Sequence, residues 1–451
     1  MFKCKAGFAG FGEINTPKQL VDRLCFEAME RLEKIGFVLV STPAITDDEG
    51  GVDVKRAVGD LKKDDFDFLV VCLTGWIPSH AVISVISEFK HKPMILWGLT
   101  GEEIDGRWVT TAAQAGTTAL RKPMEDMGFK FEYIYETPGG VPKESEIEDF
   151  ARAASAVARL KHGKVGQMGY RDMRLYGTMF DGVSLRGKIG VEVEFFEMLE
   201  IVQRMEKVSS ETVAEVVEKA KQDWVFEKEA EPKTLELGAR VYLAIREKIK
   251  ECGYDAVSLT DVDGMKKLMN FPPSMVFMLL ANELGVCTVP ENDTLGAVTQ
   301  LFCRYSTGQI AAYMEFYEFM EDRALIGVPD YVPAEVTEGH IKVNPTSFGQ
   351  LGQGILNVSK VKTGRATMCR LGSTGDKYIM QIVTGEAVAP RQWEEAGWEP
   401  PAPQLPSLEF IMDTPVEDFA QNVMSQHCII TYGDNSRILK FMCKILDIEV
   451  I

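Results

Sequence analysis

Along its first third the chain alternates short, wholly apolar runs with stretches whose apolar residues recur every three or four positions. Asn15-Thr16-Pro17 supplies a cap and a proline at the first helical position. Leu20, Leu24, Ala28 and Leu32 then turn one apolar face inward until Gly36 ends the helix. The run Phe37-Val38-Leu39-Val40 follows as a strand, and the cycle repeats with a helix through Val54, Ala57 and Leu61 and a strand over 68–73. A helix over 81–89 and a strand over 93–97 come next. Strands that are apolar throughout, separated by amphipathic helices, predict a parallel sheet covered on both faces. An alanine-rich helix over 146–160 closes this region.

At Gly163 the pattern restarts. Strands over 164–168, 189–195 and 256–259, with helices near 197–206, 209–222, 233–251 and 262–285, predict a second α/β unit ending in Cys287-Thr288-Val289-Pro290. From about residue 307 short strand-like runs, frequent glycines and the proline-rich loop 389–406 predict a β-rich region. It closes with a strand over 428–431 and a helix over 436–446. The fold class expected is therefore α/β, with two tandem doubly wound parallel-sheet domains over 1–161 and 162–306 and a β-rich carboxyl-terminal domain over 307–451.

Charge narrows the partners. Lys and Arg number 49 against 67 Asp and Glu, a net −18 in 451 residues, which argues against a phosphate backbone or an anionic membrane surface. No apolar run reaches the roughly 18 residues of a membrane span. The first residues show neither a long apolar core nor a small-residue cleavage site, so no secretory signal is expected. Nine scattered cysteines form no CxxC pair; reduced, buried thiols in a cytoplasm are expected. Gly7, Gly10 and Gly12 reverse the order of the dinucleotide fingerprint, and no Walker A sequence occurs; they read as a glycine-rich turn lining a cleft. Ser79-His80, without a nucleophile elbow, reads as structural.

The acids are more informative. Glu291, in Pro290-Glu291-Asn292-Asp293-Thr294, emerges at the carboxyl end of a buried strand, the edge at which α/β sheets place ligands. Asp293 or Thr294 is expected to cap the helix that follows. Glu315 sits among Ala312-Tyr313-Met314 and Phe316-Tyr317, where a carboxylate is costly unless paired or bound to metal. His340 and His427 adjoin strands of the same β-rich region. Two carboxylates and imidazoles suit Mn²⁺, Fe²⁺, Co²⁺ or Zn²⁺ better than Ca²⁺.

Three segments together resemble the L-fucose/L-arabinose isomerase family: Gly166-Gln167-Met168-Gly169-Tyr170-Arg171, the stretch from Pro290-Glu291-Asn292-Asp293 through Tyr313-Met314-Glu315, and Gln426-His427-Cys428-Ile429-Ile430-Thr431-Tyr432-Gly433-Asp434. The resemblance implies an aldose–ketose isomerase dependent on Mn²⁺, with Co²⁺, Fe²⁺ and Zn²⁺ as other candidates. It implies Glu291 and Glu315 as ligands and catalytic acids, and His427 and His340 as further ligands. Trp76 and Trp393 resemble aromatic residues that contact the sugar, and Arg171 is a further candidate contact. The resemblance further implies a cis-enediol intermediate and a homotrimer or homohexamer with active sites between subunits. Gly7-Phe8-Ala9-Gly10 stands where fucose isomerases carry a substrate-binding arginine. The expected substrate is thus either a neutral pentose or 6-deoxyhexose, or an anionic hexose such as a sulfonated one, with Arg174 and Arg186 beside Arg171. The alternative is a non-catalytic sugar-binding or regulatory protein on a tandem α/β scaffold. That reading does not require Glu291, Glu315 and His427 to meet.

Overall fold

The computed structural model describes residues 4–328, 331–348, 351–375, 377–394, 398–399 and 404–451. They form two compact units, one of residues 1–158 with 440–447 and one of 159–439 with 448–451.

In the first unit five parallel strands line up in the order Phe37–Ser41, Cys4–Phe11, Phe68–Leu73, Met94–Gly98 and Phe131–Tyr135. Helices such as Lys18–Lys34 and Ala113–Asp126 cross between them, and the central strand Phe68–Leu73 is buried at every position. Gly10 and Gly12 lie against helix Lys18–Lys34. A Cβ on Gly10 would stand 2.3 Å from Cys25 Sγ, and one on Gly12 would stand 2.8 Å from Val21. These glycines let the helix approach the sheet. Phe150 packs edge-on to Phe441, with centroids 5.5 Å apart, which ties residues 440–447 to this unit.

The second unit begins with a four-stranded parallel sheet ordered Cys287–Val289, Ala256–Leu259, Lys164–Met168 and Glu192–Phe196. Of the helices expected near 262–285, the first is a π-helical turn, Asp261–Lys266, and the second is the α-helix Ser274–Leu284; Pro272 and Pro273 stand between them. Beyond it, six antiparallel strands close on themselves. Their order is Gly364–Thr374, His427–Tyr432, Ala312–Phe319, Arg323–Gly327, Ser407–Met412 and Lys377–Val388, and the last pairs with the first. Closure removes free edges.

A smaller sheet outside the barrel joins the central region to the β-rich one. Strand Trp224–Phe226 runs parallel to Ile341–Phe348 and pairs with it, and Tyr331, Val343 and Ile355 are buried in the same apolar cluster as Leu235, Phe277 and Met278. Trp224–Phe226 is too short for its pattern to be read from sequence. The proline-rich loop is described only through Glu394, at 398–399 and from Gln404 onward; the rest of it lies outside the described residues. Among the described residues no helix is long and apolar enough to cross a membrane.

At Gly385 the barrel seam admits no side chain. A Cβ there would lie 2.2 Å from the Ile411 carbonyl oxygen and 2.7 Å from the Phe410 ring. The neighbour is backbone and cannot swing aside, so Gly385→Ala is expected to cost about 1–3 kcal/mol. Urea denaturation of the full chain checks this, and an unchanged midpoint contradicts the seam argument.

Candidate metal centre

Glu291 owes its position to an unusual backbone. After strand Cys287–Val289, both Glu291 (φ 61°) and Asn292 (φ 55°) adopt the left-handed conformation, which L-residues other than glycine and asparagine seldom occupy. Three bonds hold the turn. Asp261 Oδ1 accepts from the Glu291 N–H at 2.7 Å, the Leu259 carbonyl accepts from the Asn292 N–H at 3.2 Å, and Asn292 Nδ2 donates to the Met168 carbonyl at 2.8 Å. The carboxyl ends of two neighbouring strands thus clamp the residue that follows the third. Asp261 is itself buried and paired with Lys266 at 2.9 Å.

Glu315 and His427 meet by register. Strands Ala312–Phe319 and His427–Tyr432 are antiparallel, with Glu315 directly opposite His427, so both side chains leave the same face of the barrel wall. One ligand atom from each of Glu291, Glu315 and His427 falls within 4.8 Å of the others. His427 Nε2 is 3.3 Å from Glu291 Oε2 and 3.8 Å from Glu315 Oε1. Two carboxylate oxygens and an imidazole nitrogen form the mixed hard and borderline donor set that divalent Mn, Fe, Co or Zn takes. The residues fit a divalent cation.

Behind the triad stands Asp293, fully buried. Its Oδ1 caps helix Thr294–Thr307 by accepting from Gly296 N–H at 2.9 Å. Its carboxylate also receives Arg370 bidentately, at 2.6 and 2.7 Å, and the Tyr313 hydroxyl at 2.8 Å. The other ring nitrogen of His427, Nδ1, lies 3.4 Å from Asp293 Oδ2. A carboxylate on Nδ1 favours the tautomer whose Nε2 lone pair faces the glutamates. Burial raises the Asp293 carboxyl, but the Arg370 charge and the bonds from His427 and Arg370 outweigh it and hold it well below the usual carboxylate range. Burial, with Asp293 alongside, pushes the Tyr313 phenol upward. The expectation that Asp293 or Thr294 caps the helix thus resolves on Asp293, which does more than cap. Thr294 Oγ1 instead donates to Gln167 Oε1.

Two family models match the chain. One, described as the L-arabinose isomerase central domain, covers residues 169–287; the other, described as the L-fucose isomerase C-terminal domain, covers 330–451. Over these two stretches the chain is similar to the L-fucose/L-arabinose isomerase family. An L-arabinose isomerase of Shouchella clausii (strain KSM-K16) is 25% identical over 253 residues, 54% of this chain and 51% of that protein. This chain therefore matches about half the length of that relative. A sulfoquinovose isomerase of Alkalicoccus urumqiensis is 19% identical over 370 residues, 80% of each chain. A periplasmic solute binding protein of Actinobacillus succinogenes 130z, solved with bound D-allose, aligns over 67% of this chain and 92% of its own at 14% identity. Its TM-score of 0.17 bears on neither fold nor site.

The other sequence candidates of this isomerase relative scatter. His340 is exposed in the turn before Ile341–Phe348 and is not among the converging ligand atoms. Trp393 donates from Nε1 to Ser407 Oγ at 3.0 Å and packs on the Tyr317 ring, centroids 4.9 Å apart. Ser407, Gly327 and Glu315 lie in one cross-strand row, so this aromatic pair borders the strand that carries Glu315. Arg171 lies over the Tyr176 ring at 5.1 Å, with Met179 Sδ at 3.3 Å from its Nη1. Arg186 is engaged with Glu192 and backbone carbonyls. Trp76, in the first unit, is 41% exposed and its backbone bonds Glu13 and Thr111. Sequence reasoning missed Arg370 and Asp261. A single arginine inside Met368-Cys369-Arg370-Leu371 was the available signal, since a buried strand arginine demands an acid.

Two measurements probe this centre. Asp293→Asn leaves a buried guanidinium without its counter-charge and is expected to cost about 3–5 kcal/mol. In urea denaturation, the double variant with Arg370→Met should recover part of that loss. The second concerns Asp172, fully buried, which accepts from the Val262 and Asp263 N–H groups at 2.7 Å each. Burial and then the Asp261 charge push its carboxyl up to about 6. The unfolded carboxyl titrates near ~4, so this group's contribution favours the native state most below that value and is lost as pH rises through 6. Stability measured from pH 4 to 7, wild type minus Asp172→Asn, is therefore expected to fall across that interval; a flat difference contradicts the shift.

Proposed function

We propose that this protein is a metal-dependent aldose–ketose isomerase, with Mn²⁺ the first candidate metal and Glu291, Glu315 and His427 its ligands. The observation that carries the reading is the convergence of these three side chains from three separate segments onto one point. A sugar-binding protein on the same scaffold has no need of it. The matched family and the isomerase names of both relatives support the same class.

A bound divalent cation supplies Lewis acidity, polarising the sugar carbonyl and acidifying the adjacent C–H and O–H. The chain's own residues do the proton work. One of Glu291 and Glu315 takes the proton from C2 and returns it at C1, while the other moves the hydroxyl proton between O1 and O2, by way of a cis-enediol. The two carboxylates are suited to unlike tasks because their surroundings differ: Glu291 is clamped and largely buried, whereas the Glu315 side chain is 27% exposed. His427, held from behind by Asp293, orients the pair. Trp76, Trp393 and Arg171 are the proposed sugar contacts, and His340 has no role in this ligand set. The proposed substrate is a pentose or 6-deoxyhexose, or an anionic hexose of the sulfonated kind. A soluble cytoplasmic homotrimer or homohexamer completes the reading.

Incubation with Mn²⁺ and a panel of neutral and anionic aldoses in D₂O, read by NMR, tests it. Deuterium is expected to appear at C2 of one sugar. Glu291→Gln and Glu315→Gln are each expected to lower turnover roughly 10²–10⁴-fold while the chain folds normally. Near-normal turnover in either removes that residue from the mechanism, and label in no sugar with metal bound sinks the isomerase reading.

A further inference from the structure

Gln426 stands next to His427 at the surface, yet its side chain turns inward. Its amide nitrogen lies 3.3 Å from Glu291 Oε2, 3.2 Å from Glu315 Oε1 and 3.1 Å from His427 Nε2. The three atoms that would bind a cation therefore all face one NH₂ group. An amide carries two hydrogens, and here it meets three acceptors. His427 Nδ1 lies 3.4 Å from Asp293 Oδ2, and the tautomer this favours leaves Nε2 as an acceptor. The amide nitrogen thus stands at the point where the three ligand atoms converge. A divalent cation at that point would take the place of the amide.

The backbone of Gln426 is fixed, because its carbonyl accepts from the Phe316 N–H at 3.1 Å. The residue itself is exposed. Its side chain can leave for water without disturbing either strand, and once there its amide regains hydrogen bonds.

We propose that Gln426 is a displaceable placeholder: its amide holds Glu291, Glu315 and His427 in register in the metal-free chain, and swings out to solvent when a divalent cation enters. The proposal rests on the metal-site reading above. It makes Gln426 a positioning residue that competes with the cation and is not one of its ligands.

The test titrates MnCl₂ into the chelator-stripped full chain by calorimetry, for wild type, Gln426→Ala and Gln426→Ser. Hydrogen bonds to charged groups are lost only from the metal-free state, so both variants are expected to bind Mn²⁺ about tenfold tighter. Their metal-free melting temperature should fall while the Mn²⁺-saturated one stays at the wild-type value. Equal affinity overturns the placeholder, and weaker affinity overturns it in favour of a Gln426 ligand. Should both variants fail to fold, ¹⁵N-glutamine labelling of wild type decides. The Gln426 side-chain NH₂ resonance, assigned by its loss in a Gln426→Glu chain, is expected to move to the position of a solvated amide on adding Zn²⁺, and an unmoved resonance overturns the proposal. If wild type binds neither ion, the metal-site reading itself fails, which separates the two failures.

Discussion

A single buried carboxylate, Asp293, ties the site to the fold. It ends the turn that carries Glu291, caps helix Thr294–Thr307, neutralises Arg370 from strand Gly364–Thr374 and faces the ring of His427 from the neighbouring strand. A buried ion pair of this kind adds little net stability, because desolvation offsets most of the attraction. Its effect is on geometry. Parallel sheet and barrel can only close on each other with the helix, the arginine and the histidine in one arrangement, since any other leaves a charge unmatched in a dry interior. Gly296 belongs to the same constraint: a Cβ there would stand 2.6 Å from Asp293 Oδ2 and 2.7 Å from Arg370 Nη1.

The strained Glu291-Asn292 turn is bearable for the same reason. Each left-handed residue costs of order 1 kcal/mol, and the strand-end carbonyls of Leu259 and Met168, with Asp261, over-determine the conformation. Strain is thereby exchanged for a carboxylate aimed away from the sheet. Asp261 in turn needs Lys266 on one side and tolerates Asp172 on the other, which is why one acid of this group is pushed toward neutrality while Asp293 stays charged. The polar interior is graded: charge sits where cationic partners exist and is suppressed where they do not.

Much of this was legible in the residues. Apolar runs of five or six residues between amphipathic helices require a covered parallel sheet, and both such sheets are present. Glu291, Glu315 and His427 stood out because an acid at a strand end, an acid inside an aromatic strand and a histidine opening a strand all carry a burial cost that demands a partner. What the pattern did not carry was closure of the β-rich region into a barrel, the strand Trp224–Phe226, or the π-helical turn at Asp261–Lys266. These depend on pairings between distant segments and leave no local period. His340 shows the converse, a histidine beside a strand whose side chain faces water.

The sequence by itself determined the alternation of elements, the excess of acidic over basic residues, and the kinds of donor a cation would find. Those follow from local periodicity and from counts of charge, which act without regard to what lies across the fold. Only the tertiary structure decided that Glu315 stands opposite His427, that Asp293 serves Arg370 and His427 as well as its own helix, and that the Gln426 amide points into the triad. Each of these depends on strand register and on side chains more than fifty residues apart along the chain. Burial makes such meetings either fully satisfied or prohibitively costly, and that condition applies only once the chain has closed on itself.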